Sequence, residues 1–460
     1  MSKVFFIGIG GVGMSTLALL AKDQGFKVSG SDIKNSSTVA SLKKKGINVF
    51  IGHSAKNIQK IKPDLVVYSS VIKPDNVERM ESESHHIPTV ARAEFLAQLI
   101  APYKTIAVAG THGKTTTTSM IGFILQQAHK PAYVYLGGKD SCLHNKKIKK
   151  NNWIVLETDE SDKSFLFFAP DIAVITNIDK DHLSNYDNSF AQLKKAFGQF
   201  LQEKRKRKYT IVCADDKNLV SVVKKTKVKN LITYGMRKPA DLRMKKILAQ
   251  EQGTLVEISS LSKKTTWRAE LPIWGEKYLS DALAALLAAS KAGISIKKGL
   301  SILQNYQLPH RRREIVGKVK DILVMDGHAD HPAEIRSTLD SLQVFKPKRR
   351  IIVIYEPHRY TRMNMLKDRI GTAFQGADMI ISLDICPAFE KPIPGITGKK
   401  VFQWIKKHNP RKEIYYIKDL ADVPSFILPR LRKNDLIITL GPGTIENLAP
   451  KIVRYLKKNY

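Results

Sequence analysis

Cysteine is scarce. Cys142, Cys213 and Cys386 are the only three in 460 residues, and they stand far apart. They form neither a C-x-x-C pair nor a disulfide framework, which excludes a cross-linked secreted scaffold. Long apolar runs are also missing, and no stretch approaches the ~20 residues that a membrane span needs. Lys3 leads at once into a short apolar run and a glycine turn, where a secretory leader would carry a longer apolar segment and a cleavage site. The expectation is a soluble, cytoplasmic protein without membrane insertion. Acid is in short supply: 42 Asp and Glu against 76 Lys and Arg give a net charge of +34. Such a field attracts polyanions. The clusters Lys43–Lys45, Lys146–Lys150, Lys204–Lys208 and Lys346–Arg350 are nevertheless scattered, without the interleaved aromatics that stack on bases. No obligate nucleic-acid partner is expected; the excess reads as a lysine-rich surface that still draws in nucleotides. No Ser-His-Asp or Cys-His arrangement suggests a covalent nucleophile.

The length allows about three domains of ordinary size. The organising stretch is Thr105-Ile-Ala-Val-Ala-Gly-Thr-His-Gly-Lys-Thr-Thr-Thr-Thr-Ser119. Thr105 to Ala109 suits a buried strand, Gly110 to Lys114 a tight turn, and Thr115 opens a helical pattern through Met120, Ile121, Phe123 and Ile124. Glycine lets the turn aim successive N–H groups at an anion on a helix N-terminus. Lys114 can reach the β/γ-phosphates and the Thr115 hydroxyl a Mg²⁺ ion. Val108 stands where the longer G-x-x-x-x-G-K-[ST] pattern has its first glycine.

Upstream, Val4 to Ile7 is a strand-like run followed directly by Gly8-Ile9-Gly10-Gly11-Val12-Gly13 and an apolar helical pattern. This is G-x-G-x-x-G in its required setting, and the next strand places Asp32 where a ribose or base is bound. Alone it leaves a dinucleotide oxidoreductase open; the second phosphate loop at Gly110 argues against that. Leu65 to Tyr68 reads as another strand, leading to Ser69 and Ser70, and a polar helix-like stretch is expected to end at Arg92-Ala93-Glu94. Beyond the loop, Trp153 to Leu156 delivers Glu157-Thr-Asp-Glu-Ser-Asp162 to its C-terminal end, and Ile172 to Ile175 delivers Thr176-Asn-Ile-Asp-Lys-Asp-His182. Ligands of open parallel sheets collect at such ends, so both tips should face Lys114, with carboxylate oxygen suited to Mg²⁺. Four further strand-like runs, 322–325, 351–354, 379–382 and 436–440, imply a third α/β unit.

Together these stretches resemble the Mur ligase family along nearly the whole chain. The residues that carry the resemblance are Gly8 to Ser15, Gly110 to Thr117, Asp159 to Asp162 with Ser164-Phe165-Leu166, Thr176-Asn177-Ile178 with Asp181-His182, and Pro357-His-Arg-Tyr-Thr-Arg362. The resemblance implies an α/β fold of three domains: a Rossmann-like domain over 1–102, a P-loop ATP-binding domain over 103–310, and a Rossmann-like ligase domain over 311–460. It further implies ATP and Mg²⁺ as cofactors, with UDP-N-acetylmuramate and L-alanine joined through an acyl phosphate; a murein tripeptide acceptor and a non-catalytic UDP-sugar binder are the alternatives. UDP-sugar would lie on Gly10, Gly11, Val12, Gly13, Asp32, Ser69 and Ser70. ATP would lie on Gly110, Thr111, His112, Gly113, Lys114, Thr115, Thr116 and Asp326. Metal would lie on Thr115, Glu157 and His182, and catalysis would fall to Lys114, His182, His358, Arg359 and Arg362. A monomer or weak homodimer is expected.

The chain departs from the family pattern in its second half. Lys277-Tyr278 stand for His-Asn, and Asp281 stands for Asn. Gly327, His328, Ala329 and Asp330 replace Asp, Tyr, Gly and His. Glu356 stands for Gln and Thr444 for Asp. Tyr278 could still stack on a base, but an amide that both donates and accepts is gone. The run Arg311-Arg312-Arg313 reads equally as a basic surface turn or as a phosphate contact at a hinge.

Overall fold

The computed structural model describes residues 2–136, 143–145, 148–149, 151–181, 183–202, 207–250, 253–262, 264–309, 311–345, 349–388 and 390–459, without the side chains of Ser184, Lys246 and Arg312. It is α/β throughout and forms two compact units. One comprises Met1–Lys246, Val256–Ala269 and Ser280–Tyr306; the other comprises Ile247–Leu255, Glu270–Leu279 and Gln307–Tyr460.

The first unit opens with a five-stranded sheet in the order Asn48–Ile51, Lys27–Asp32, Lys3–Ile7, Leu65–Tyr68, Thr89–Ala91, parallel throughout. Val4 to Ile7 are fully buried, as a central parallel strand covered on both faces requires. Strand order reverses on either side of Lys3–Ile7, so the crevice beyond its C-terminal end is where such sheets take ligands. The helix Val12–Asp23 starts there. The expected helix ending near Arg92 is divided in the structure: helix Val77–Ser84 ends early, Thr89–Ala91 joins the sheet, and a new helix runs Arg92–Ile100. Apolar Phe95, Leu96, Leu99 and Ile100, buried at helical spacing, hold that second helix down.

A nine-stranded sheet follows, in the order Thr265–Leu271, Gly253–Ser260, Leu242–Gln250, Leu231–Gly235, Tyr209–Cys213, Ile172–Ile175, Lys104–Ala109, Trp153–Glu157, Ala132–Tyr135. Lys104–Ala109 is flanked in parallel by Trp153–Glu157 and Ile172–Ile175. Both polar tips read from the sequence therefore end beside the glycine turn. Helix Lys114–Gln127 buries every residue from Thr116 to Leu125, including three threonines and a serine that a surface helix would expose; the Ser119 hydroxyl is satisfied by Tyr306 at 2.7 Å. The strands between 242 and 271 had no clear signal, because their alternation runs through lysine and threonine.

In the second unit, six strands lie in the order Arg312–Val319, Ile322–Gly327, Leu436–Leu440, Ile351–Tyr355, Met379–Ser382, Glu413–Tyr416. The first pair is antiparallel and the rest are parallel. Among the described residues no helix is long and apolar enough to cross a membrane.

Phe165 tests the first unit's packing. Its ring is fully buried and meets Phe197 and Phe200 at centroid distances of 5.1 and 5.2 Å. Phe165→Ala should cost about 3–5 kcal/mol, read by denaturant unfolding; a loss within about 1 kcal/mol would show that this cluster does not hold the segment after Asp162.

Candidate active site

Two glycines shape the turn after Lys104–Ala109. Gly110 has φ 135° and Gly113 φ 83°, conformations that side chains resist. A Cβ on Gly110 would strike the Thr176 hydroxyl, and one on Gly113 would strike Asp281. Neighbouring strand ends lock the turn. The Thr111 N–H donates to the Asn177 carbonyl at 3.1 Å, the His112 N–H to Asn177 Oδ1 at 2.9 Å, and the His112 carbonyl accepts from Thr176 Oγ1 at 2.6 Å and Asn177 Nδ2 at 2.9 Å. The Asp179 N–H donates to the Thr111 hydroxyl at 2.9 Å, and the His112 ring lies 3.2 Å from Asp179. The loop is thus held open at the N-terminus of helix Lys114–Gln127, the arrangement that favours anions.

Lys114 folds back into this turn. Its Nζ donates to the Gly110 carbonyl at 2.7 Å, the Thr111 carbonyl at 3.3 Å and Glu160 Oε2 at 2.6 Å. Burial opposes its charge, but Glu160, Asp159 and Glu157 together raise its proton affinity above the ordinary value. Glu160 is fully buried, and burial pushes its carboxyl up to about 7 against the pull of Lys114. Its Oε1 has no hydrogen-bond partner among the described residues. One helix residue on, the Thr115 hydroxyl donates to Glu157 Oε2 at 2.7 Å. A hydroxyl and a carboxylate oxygen meeting beside a phosphate cradle form a hard-oxygen pair that fits Mg²⁺. His182 lies outside the described residues. Thr116 is buried in the helix. Asp281, the substituted asparagine position, is buried and accepts from the Thr117 hydroxyl at 3.1 Å.

The other glycine turn belongs to the same unit. Gly8 and Ile9 donate N–H groups to the Ser31 carbonyl, both at 2.9 Å, and the Gly10 N–H donates to Asp32 Oδ2 at 2.8 Å. Asp32 is therefore bound to the turn itself, with its other oxygen accepting from the Lys34 N–H at 3.1 Å. Gly11 caps the helix that Val12 and Gly13 open, and the Gly13 carbonyl accepts from the Tyr135 hydroxyl at 2.7 Å. Ser69 lies against Gly8. Ser70 lines a cleft of about 400 Å³ with Arg92, Asp159, Asp162, Lys163 and Asn185. A second cavity of about 130 Å³ brings Arg92 together with Lys114, Tyr135, Glu157 and Asp159. The 157–162 tip was expected to face Lys114, but no separate role was read for Glu160 within it or for Arg92, which only the fold brings into the cavity with Lys114.

The second unit gathers its own cluster at strand ends. Asp326 is buried; it accepts from Arg311 Nε at 2.8 Å and from the Thr439 hydroxyl, and burial raises its carboxyl against both donors. Arg311 and Arg313 are each about 95% buried, so the basic-surface-turn reading is overturned. Arg311 also donates to the Gly441 carbonyl at 2.6 Å, and Arg313 donates to the Trp274 carbonyl and the Ser341 hydroxyl. The Arg313 guanidinium covers the Tyr278 ring at 4.1 Å, which occupies a face that base stacking would need. Lys277 reaches Glu334 at 3.4 Å. Arg362 pairs with Asp330, whose carboxylate lies 4.0 Å from the His358 ring. Burial, with Arg359 and Arg362 alongside, lowers His358 to about 4, so its imidazole is neutral at neutral pH. Arg359 sits at φ 65°, ψ 133°, a region nearly reserved for glycine that costs about 1–3 kcal/mol.

Comparisons with known proteins agree with this geometry. The family models described as Mur ligase family, catalytic domain; Mur ligase middle domain; and Mur ligase, glutamate ligase domain match residues 3–104, 108–289 and 311–443. The chain is 35% identical over 458 residues to the UDP-N-acetylmuramate–L-alanine ligase of Trichlorobacter lovleyi, covering 99% of both chains. It is 36% identical over 458 residues to the same-named protein of Caldanaerobacter subterraneus subsp. tengcongensis, covering 99% of this chain and 98% of that one. The crystal structure of UDP-N-acetylmuramate-alanine ligase MurC from Thermotoga maritima superimposes with a TM-score of 0.83 at 28% identity, over 100% of both chains.

The pair of half-buried Lys114 and buried Glu160 makes a signed prediction. Because the folded Glu160 carboxyl is raised, its contribution to stability is fully present below its unfolded value near 4.5 and is lost as pH rises through about 7. Lys114→Met strips away the countercharge and should deepen that loss, lowering Tm more at pH 8 than at pH 5.5. Equal losses at both pH values would show that Glu160 is not charged beside Lys114.

Proposed function

This chain belongs to the Mur ligase family, and we propose that it joins L-alanine to UDP-N-acetylmuramate with conversion of ATP to ADP and phosphate. The observation that carries the reading is the glycine turn closed on Lys114, with Thr115 bonded to Glu157 at the next helix position. A carboxylate is a poor acyl donor. Transfer of a phosphoryl group to one of its oxygens supplies a leaving group; the amine then attacks the carbonyl carbon, loses a proton, and expels phosphate from a tetrahedral intermediate. Such catalysis is positioning and electrostatics, without an enzyme nucleophile.

In this assignment Gly110 to Thr116 cradle the triphosphate, Lys114 leaves Glu160 to meet its β/γ oxygens, and Asp326 takes the ribose. Thr115 and Glu157 hold Mg²⁺, which neutralises phosphate charge when bound, with His182 as a further ligand. The turn Gly10–Gly13 with Asp32, Ser69 and Ser70 receives the UDP moiety. His358, Arg359 and Arg362 face the amino acid and the phosphates, where forked guanidiniums match carboxylate and phosphate oxygens. We place the domain boundaries at residues 102/103 and 310/311. The relatives named as L-alanine ligases, each covered almost end to end, favour alanine over a tripeptide acceptor.

Purified protein supplied with ATP, UDP-N-acetylmuramate and Mg²⁺ should release phosphate when L-alanine is added and not when the murein tripeptide is added. Chelating divalent cations should stop turnover and Mg²⁺ should restore it. Lys114→Ala should lower kcat roughly 10²- to 10³-fold, the usual cost of losing one preorganised charge at a transition state. Release with tripeptide alone would reassign the acceptor; no release with either, alongside intact UDP-sugar binding, would mark a binding protein.

A further inference from the structure

Two of the departures from the family pattern, Glu356 for Gln and Thr444 for Asp, meet in space. The Thr444 hydroxyl donates to Glu356 Oε1, and the Ile445 N–H donates to Oε2 at 3.1 Å. The carboxylate is buried, with 5% of the residue exposed. Against the pattern that the resemblance implies, the acid stands on the other side of the contact. Either exchange alone would leave two buried carboxylates or none; both together keep one carboxylate facing one neutral partner.

We propose that this relocated contact is a latch that positions the acceptor-facing residues, an inference that rests on the ligase reading. Glu356 follows strand Ile351–Tyr355, and Thr444 follows its parallel neighbour Leu436–Leu440, with Tyr355 in register with Leu440. The turn between Gly441 and Ile445 lies directly on Glu356. A Cβ at Gly441 would come within 2.7 Å of the Glu356 carbonyl oxygen, and one at Gly443 would come within 2.7 Å of Cys386 Sγ. Cys386 in turn grips the motif: its N–H donates to the Pro357 carbonyl at 2.8 Å, and its carbonyl accepts from the Arg359 N–H at 2.9 Å. Arg359 is the residue held in a backbone conformation that side chains resist. Such a conformation persists only where the surroundings over-determine it. The circuit Glu356, turn 441–445, Cys386, Arg359 is that surrounding. Opened at Glu356, it lets Arg359 relax to ordinary backbone angles and carries His358 and Arg362 out of place.

Three variants test it: Glu356→Gln, Thr444→Asp, and the two combined. Thr444→Asp sets a second carboxylate against the buried first and should lower kcat/KM for L-alanine roughly 100-fold, the scale of an ångström-sized misplacement. Glu356→Gln gives up a charge-assisted acceptor and should lose roughly tenfold. The double variant should return to within a few-fold of the parent, with KM for UDP-N-acetylmuramate steady throughout. Losses that multiply in the double variant, or a sugar-nucleotide KM that moves as far as the alanine KM, would overturn the latch. Should Thr444→Asp fail to fold, Thr444→Val replaces it: its loss should match that of Glu356→Gln and should not grow when the two are combined, whereas independent losses overturn the latch. A parent without alanine-dependent phosphate release overturns the ligase reading instead. The same cycle read in Tm then decides the contact alone, coupling supporting it and additivity overturning it.

Discussion

A half-buried lysine and a fully buried glutamate, side by side under a glycine turn, set the terms for the first unit. Glu160 is completely enclosed, and Lys114 pairs with it at 2.6 Å. A carboxylate in such a place is costly unless paired and hydrogen-bonded, and here it is paired through one oxygen while the other has no partner among the described residues. Lys114 stays charged because three acids surround it. The side chain is therefore held against its own loop, and in the proposed reading a triphosphate, with more oxygens than Glu160, draws it away. The closed network from Thr176 and Asn177 to His112 keeps the turn in shape meanwhile, so ligand binding needs a side chain to move rather than a loop to refold.

How much of this was legible follows the physics of each signal. Buried parallel strands are continuous apolar runs, and those flanking the phosphate loop were readable to within a residue: Thr105 to Ala109 was expected and Lys104–Ala109 was found. Glycines that need positive φ announce themselves by type, which is why both turns stood out. Long-range pairs do not. The tip that carries Glu160 was expected to face Lys114, but nothing in sequence singles out Glu160 within it, and nothing joins Glu356 to Thr444, 88 positions away. Of the two readings left open for the arginine run, the solvent-facing one fails; Arg311 and Arg313 are buried because Asp326, the Gly441 and Trp274 carbonyls and the Tyr278 ring supply partners.

Those pairs also change the meaning of the substitutions in the second half of the chain. Taken one at a time, Lys277, Asp281, Asp330, Glu356 and Thr444 look like erosion of a binding site. A site released from function accumulates changes without regard to one another, and buried charges left unpaired there would cost several kcal/mol each. What is found is different. Asp281 takes the Thr117 hydroxyl, Lys277 meets Glu334, Asp330 meets Arg362, and Glu356 accepts from the Thr444 hydroxyl. Every substituted charge has a partner within its own unit, and the strained Arg359 backbone is still held in place. Strain of that kind would be the first thing to relax once nothing depended on the position of His358 and Arg362. Its persistence beside partnered charges fits the proposed ligase reading, in which these departures retune how nucleotide and acceptor are held.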